Sequence, residues 1–168
     1  MKTLIPADTI AARVTELGAE ITRDYAGKEL VLVCVLKGSF IFAADLARAI
    51  DLPTRIEFLG VQSYGDNTVS SGEARITLDV GHALGGKHVL LVEDIVDTGL
   101  TLSFLLEHLR TRDLASLKMC SLLHKPARQK IPVNIDYLGF TIEDVFIVGY
   151  GLDHAGLHRN LPYIGILE

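Results

Sequence analysis

The run Leu30-Val31-Leu32-Val33-Cys34-Val35-Leu36 interleaves leucine or cysteine with β-branched valine and contains no polar side chain. A strand with one wet face alternates apolar and polar residues, so a run that is apolar on both faces describes a strand covered on both sides, as in a parallel sheet. His88-Val89-Leu90-Leu91-Val92 repeats the pattern after a turn at Gly85-Gly86. Between them the loop Lys37-Gly38-Ser39 leads into a helical stretch from Phe40 to Ile50, and Pro53 precedes a strand from Arg55 to Val61. That is one βαβ unit.

The flanking segments extend the same alternation. Ile10, Val14, Leu17 and Ile21 recur at helical spacing after Asp8, which suits an N-cap, and the helix is expected to end near Gly27. Thr101 to Arg112 reads as a helix carrying Leu102, Leu105, Leu106 and Leu109 on one face. Leu117 to Leu123, Ile135 to Phe140 and Val145 to Val148 read as further strands. Strands alternating with helices predict an α/β fold with an open, mostly parallel twisted sheet flanked by helices. A length of 168 residues fits one domain over 1–168. Gln62 to Ala74 is polar, glycine-rich and aperiodic, the composition of a mobile lid over a site, with Arg75 to Val80 as its returning arm.

Charge and cysteine usage narrow the partners. A net charge of −5 has the wrong sign for binding that rests on neutralising nucleic-acid phosphates. Cys34 and Cys120 lie in apolar runs without metal-ligand spacing, as buried thiols of a cytoplasmic protein do. Met1 to Pro6 lacks the pattern of a signal peptide, and no apolar run approaches the ~20 residues that span a bilayer. A soluble protein without nucleic-acid or membrane partners is expected.

In open α/β sheets ligands gather beyond the carboxyl ends of the strands, which directs attention to Val89-Leu90-Leu91-Val92-Glu93-Asp94-Ile95-Val96-Asp97-Thr98-Gly99-Leu100-Thr101. Here a buried strand runs into adjacent carboxylates, a third carboxylate, and a hydroxyl-and-glycine turn opening a helix. Orphan N–H donors and the dipole at a helix N-terminus favour an anion such as phosphate. Acids beside that cradle would repel the anion unless a cation or ligand hydroxyls lay between them, so the block suggests a phosphorylated sugar with a divalent metal. Taken singly, Thr98 or Thr101 is an N-cap and the acids are solvated.

As an ordered block the segment resembles the phosphoribosyl-diphosphate signature of type I phosphoribosyltransferases. The resemblance covers nearly the whole chain and narrows to the bacterial hypoxanthine (6-oxopurine) phosphoribosyltransferases. Leu36-Lys37-Gly38-Ser39 is similar to the pyrophosphate loop of that family, Ser63-Tyr64-Gly65 with Ser70-Ser71-Gly72 to its mobile lid, and Lys125-Pro126 to its purine-recognising lysine. Phe146-Ile147-Val148-Gly149-Tyr150-Gly151-Leu152-Asp153 resembles the purine-stacking and metal-binding stretch, and Arg159 stands where a pyrophosphate-contacting arginine is expected. Leu161-Pro162-Tyr163-Ile164-Gly165 resembles the bacterial ending.

The resemblance implies purine salvage by transfer of ribose 5-phosphate from phosphoribosyl diphosphate to hypoxanthine, and also to guanine or xanthine. It implies Lys37, Gly38, Glu93, Asp94, Asp97, Thr98, Gly99, Leu100, Thr101 and Arg159 as the phosphoribosyl diphosphate site. The purine site would comprise Lys125, Phe146, Ile147 and Asp153, with Asp97 and Lys125 catalytic and Ser63 and Tyr64 in the lid. One magnesium would be held by Glu93 and Asp94 and a second by Asp153, and the assembly would be a dimer or tetramer. His154 stands where such enzymes carry an aromatic such as tyrosine, and His124 where they often carry aspartate. Two other classes remain open at this stage. One is a regulator on the same fold that binds nucleotide or RNA without catalysis; the other is a receiver- or flavin-type doubly wound domain, which leaves the Lys37 loop and the Lys125-Pro126 pair unexplained.

Overall fold

The computed structural model describes residues 1–63, 74–81 and 83–168. Strand β2 (Leu30–Leu36) lies at the middle of a six-stranded sheet in the order β4-β3-β2-β5-β6-β7. The others are β3 (Thr54–Ser63), β4 (Ala74–Leu78), β5 (His88–Val96), β6 (Ser116–His124) and β7 (Tyr137–Thr141). All neighbours pair in parallel except β3 and β4, which are antiparallel. From β2 the chain first builds outward through β3 and β4, then returns to the other side of β2 for β5, β6 and β7. The order therefore reverses between β2 and β5, and the crevice at their carboxyl ends is the natural ligand position.

The alternation within β2 assigns its residues to two cores. Leu30, Leu32 and Cys34 face helices α1 (Ala7–Asp24) and α2 (Phe40–Ala49), joined by Leu90, Val92, Cys120 and Leu122. Val31, Val33 and Val35 face the opposite layer with Val89, Leu91 and Met119, covered by Leu102, Leu105, Leu106 and Leu109 of α3 (Leu100–Arg110). Each fully buried Leu or Val side chain is worth about 1.5–3 kcal/mol over exposure, so burial on both faces holds the centre of the sheet rigid. Cys34 and Cys120 are buried free thiols, and burial pushes the Cys34 pKa up to about 12.

Several boundaries differ from the sequence reading. The cap of α1 is Pro6, whose carbonyl accepts from the Ile10 N–H; Asp8 lies inside the first turn, and its Oδ1 accepts the Thr9 N–H instead. Proline suits this position because its fixed φ and missing donor cost nothing at a helix start. The helix ends at Asp24, before Gly27. Gly99, at φ 85°, precedes α3 in place of either threonine, a backbone region that glycine enters without strain. Strand β5 continues through Val96, so Glu93 and Asp94 lie within the strand. Two further strands, β8 (Ile147–Val148) and β9 (Ile164–Ile166), form a separate antiparallel sheet with β1 (Lys2–Ile5) in the order β1-β9-β8. The expected Val145 to Val148 strand thus leaves the main sheet, and β1 was not anticipated. Of the expected lid 62–74, Gln62 and Ser63 close β3 and Ala74 opens β4; the rest, Tyr64 included, lies outside the described residues.

Candidate active site

The carboxyl ends of β2, β5 and β6 converge at the switch point. Beyond β2, Lys37 is exposed, the Leu36-Lys37 peptide is cis, and the buried Ser39 hydroxyl donates to the Val35 carbonyl at 2.5 Å. The Phe40 N–H donates to the Lys37 carbonyl at 3.1 Å and the Ala43 N–H to the Ser39 carbonyl at 2.7 Å. These bonds fuse the loop to α2. Gly38 faces β5 so closely that a Cβ on it would fall 1.9 Å from Asp94 Oδ2. Glycine is therefore what lets the Lys37 loop and the strand acids share one crevice.

Along β5, Glu93 is buried and Asp94 half-buried. Burial first, and the adjacent Asp94 charge second, push the Glu93 carboxyl well above the usual carboxylate range. Glu93 Oε1 accepts the Asp94 N–H at 2.9 Å, and Asp94 Oδ1 accepts the Ile95 N–H at 2.8 Å. Neighbouring carboxylates costly to ionise together suit an oxygen-seeking divalent cation such as magnesium, which takes one or two carboxylates and keeps its waters. No cluster of three or more His, Cys, Asp or Glu that could enclose a metal occurs among the described residues. The donor set fits an open site shared with substrate.

Past β5, Asp97, Thr98 and Gly99 lead into α3. The Thr98 carbonyl accepts the N–H groups of Lys130 and Ile131 at 2.9 and 3.1 Å, and a Cβ on Gly99 would fall 2.4 Å from the Ile131 carbonyl oxygen. Residues 130–131 thereby back the turn and hold its shape. Directly after β6, the Lys125 N–H donates to the Val96 carbonyl at 2.9 Å, and the lysine is only 7% exposed. A 3-10 turn, Pro126–Arg128, then folds Arg128 back so that its Nε meets Asp97 Oδ1 at 2.8 Å. Sequence reasoning missed Arg128, because an arginine after a lysine-proline pair carries no local signal of its destination.

The remaining candidates share one wall, residues 146–159. Asp153 Oδ1 meets Arg159 Nη2 at 3.2 Å, its Oδ2 accepts the Gly156 N–H at 2.8 Å, and Arg159 Nη1 donates to the Gly151 carbonyl at 2.6 Å. This wall touches the Lys37 loop, since a Cβ on Gly151 would fall 2.3 Å from the Gly38 carbonyl oxygen. Phe146 is 53% exposed and meets the His154 ring edge-on, with centroids 5.3 Å apart at 87°. His154 thus contributes an aromatic ring where the resemblance implied an aromatic such as tyrosine. Ile147 turns its side chain into the core, unlike Phe146, which leaves Ile147 only its main chain to offer a ligand. His124, in place of aspartate, lies 2.9 Å from Gln129 Oε1 through its Nε2.

Residues 3–155 match the family model of the phosphoribosyl transferase domain. The hypoxanthine-guanine phosphoribosyltransferase of Mycobacterium avium is 50% identical over 98% of this chain and 84% of its own length. The hypoxanthine phosphoribosyltransferase of Haemophilus influenzae is 48% identical over 96% and 92%. The chain belongs to the hypoxanthine phosphoribosyltransferase family. A crystal structure of the Staphylococcus aureus hypoxanthine phosphoribosyltransferase superposes with a TM-score of 0.96 at 46% identity, covering 99% of this chain and 91% of that one. With the chain in this family, neither the receiver-type reading nor the non-catalytic regulator is favoured.

Proposed function

We propose that this purine-salvage phosphoribosyltransferase joins N9 of a 6-oxopurine to C1′ of phosphoribosyl diphosphate and releases pyrophosphate, with hypoxanthine as first substrate and guanine or xanthine also accepted. The observation that carries the reading is the convergence of the Lys37 loop, the Glu93/Asp94 pair, the turn before α3 and Lys125 at the ends of adjacent strands. Departure of pyrophosphate leaves positive charge on the ribose ring, and catalysis requires a site that favours this charge over the ground state. Glu93 and Asp94 face the ribose hydroxyls, and a bound divalent cation would favour their ionised forms. Asp97, Thr98, Gly99, Leu100 and Thr101 cradle the 5-phosphate at the helix N-terminus. Lys37, Gly38 and Arg159 receive the leaving pyrophosphate.

Asp97 accepts the N7 proton of the purine as the new glycosidic bond forms. Lys125 donates to the 6-oxo oxygen, Phe146 and the Ile147 main chain flank the base, and Asp153 serves the same end of the crevice. Glu93 with Asp94 would hold one magnesium and Asp153 a second, and these ions would neutralise charge on the pyrophosphate. A single domain over 1–168, a dimer or tetramer, and residence in the cytoplasm belong to the same proposal. Two buried free cysteines favour a reducing compartment. A Trypanosoma cruzi relative, 43% identical with a TM-score of 0.93, has had its C-terminal region studied for its role in oligomeric state and enzymatic activity.

The deciding experiment measures pyrophosphate release with phosphoribosyl diphosphate and magnesium, supplying hypoxanthine, guanine, xanthine and adenine separately. Turnover with the 6-oxopurines is expected; none with any purine would return the protein to the regulator class.

A further inference from the structure

Helix α2 begins immediately after the Lys37 loop, and Asp45 lies on it about 9 Å along the axis from Ser39. The Tyr150 hydroxyl, from the segment that carries Asp153 and Arg159, donates to Asp45 Oδ2 at 2.5 Å. We infer that Tyr150 and Asp45 are positioning residues that fix the distance between the Lys37–Ser39 loop and the Asp153/Arg159 wall, and so set the grip on the diphosphate of the substrate. The inference rests on the reading that both walls hold that group.

Three observations support it. First, Tyr150 occupies φ 49° between Gly149 at 103° and Gly151 at 102°, a backbone course that an ordinary side chain adopts only when its surroundings demand it. The Tyr150 N–H donates to the Leu161 carbonyl at 2.8 Å, which anchors the residue within its own wall. Second, both partners are oriented before they meet. Asp45 presents its other oxygen to Arg48, and the Tyr150 ring is 6% exposed, so burial and then the Asp45 hydrogen bond push the phenol upward and keep it a donor.

Third, packing fills the space around the pair on one side only, where Tyr150 joins the core that includes Phe42 and Leu46. A cleft of about 350 Å³ lies beside the pair, lined by Ile10 and Ala11 of α1, Ile41 of α2, and Leu161 and Pro162 of the wall. Where side chains do not fill the space between two elements, a directional bond between them decides their separation. Gly151 also lies close against the Gly38 carbonyl, a contact that limits how near the walls come without tying them together. A partly buried bond to a carboxylate is among the stronger neutral-to-charged hydrogen bonds, and a small displacement of a binding wall has a large effect on reacting groups.

The test compares Tyr150→Phe, Asp45→Ala and Asp45→Asn with the parent enzyme in steady-state kinetics for each substrate, in product inhibition by pyrophosphate, and in thermal unfolding. Tyr150→Phe and Asp45→Ala are expected to raise KM for phosphoribosyl diphosphate and the pyrophosphate inhibition constant about tenfold, with KM for hypoxanthine within about twofold. Asp45→Asn, which keeps an acceptor oxygen, should restore most of the loss. Adding Asp45→Ala to Tyr150→Phe should cost little more than either alone. Unchanged phosphoribosyl diphosphate kinetics in an active parent would overturn the inference. So would equal changes in both KM values, which would mark the bond as structural only. A parent enzyme without transferase activity would instead overturn the proposed function.

Discussion

The guanidinium Nε of Arg128 lies 2.8 Å from Oδ1 of Asp97, and the same side chain reaches within 4.0 Å of Asp144. Arg128 is 49% and Asp97 40% exposed, so the pair adds at most about 1 kcal/mol to stability. Its consequence lies in orientation, because a carboxylate held by one oxygen keeps the other for the proton-accepting role proposed for Asp97.

Asp97→Asn removes the proton acceptor and is expected to lower turnover by about 10²-fold or more with phosphoribosyl diphosphate binding nearly intact. Arg128→Ala should lower kcat by about three- to tenfold while the unfolding midpoint hardly moves, and it should have no further effect when combined with Asp97→Asn. Pre-steady-state turnover and calorimetry check both. Unchanged turnover in Asp97→Asn would remove Asp97 as the base.

Lys125 is buried at the end of β6 with its main chain tied to Val96, and an ammonium offers donors only. Adenine presents N–H donors where a 6-oxopurine presents an acceptor, and such polar mismatches in a desolvated site are costly. Adenine should be rejected by at least about 10³-fold in kcat/KM. Lys125→Ala should narrow that gap chiefly by impairing the hypoxanthine reaction. Competition assays with both bases read this directly, and efficient use of adenine by the parent would refute the assignment.

Gly38→Ala would put a methyl group where Asp94 Oδ2 now lies, 1.9 Å from the new Cβ. A carboxylate end can swing aside, so the fold should survive while Asp94 leaves its place beside the loop. KM for phosphoribosyl diphosphate is expected to rise by about tenfold or more, with Tm within a few degrees of the parent. Wild-type KM in the variant would show that the crevice does not depend on this close approach.

Acid stability should report on Asp79, which accepts from His108 Nε2 at 3.0 Å and Arg112 Nη2 at 2.8 Å. Partial burial works to raise its pKa, but hydrogen bonds from His108 and the Val80 N–H, with the His108 and Arg112 charges, hold the carboxyl below its ordinary 3.8. A group whose pKa is lower folded than unfolded stabilises fully above the unfolded value and loses that contribution as pH falls through the folded one. The stability difference between the parent and Asp79→Asn should therefore shrink as pH is lowered from about 5 toward 2. Denaturant midpoints across that range measure it, and a constant difference would contradict the assignment.

Much of the candidate site was legible because its parts are contiguous. The apolar run Leu30–Leu36 and the ordered block through Thr101 carry strand, acids and phosphate turn in one stretch, so local pattern and composition were enough. Less legible were side chains that reach the site from elsewhere. Arg128 arrives only through the 3-10 turn after Lys125, and Tyr150 finds Asp45 across 105 positions of sequence. Ile147 sat in a matching motif, yet it is buried within β8 while Phe146, just before that strand, is exposed.

By itself the sequence determined the parallel sheet, the family and the order of the chemical groups along the crevice, because hydrophobic periodicity and contiguous motifs are written in neighbouring residues. Tertiary structure alone decided that Lys2 pairs with Ile166 and that Ile147 joins them in a second sheet. It likewise decided that Gly38 abuts Asp94 and that Arg128 holds Asp97. Backbone pairing between short strands, and ion pairs between distant side chains, depend on where the packed layers bring the chain, and no local period encodes that.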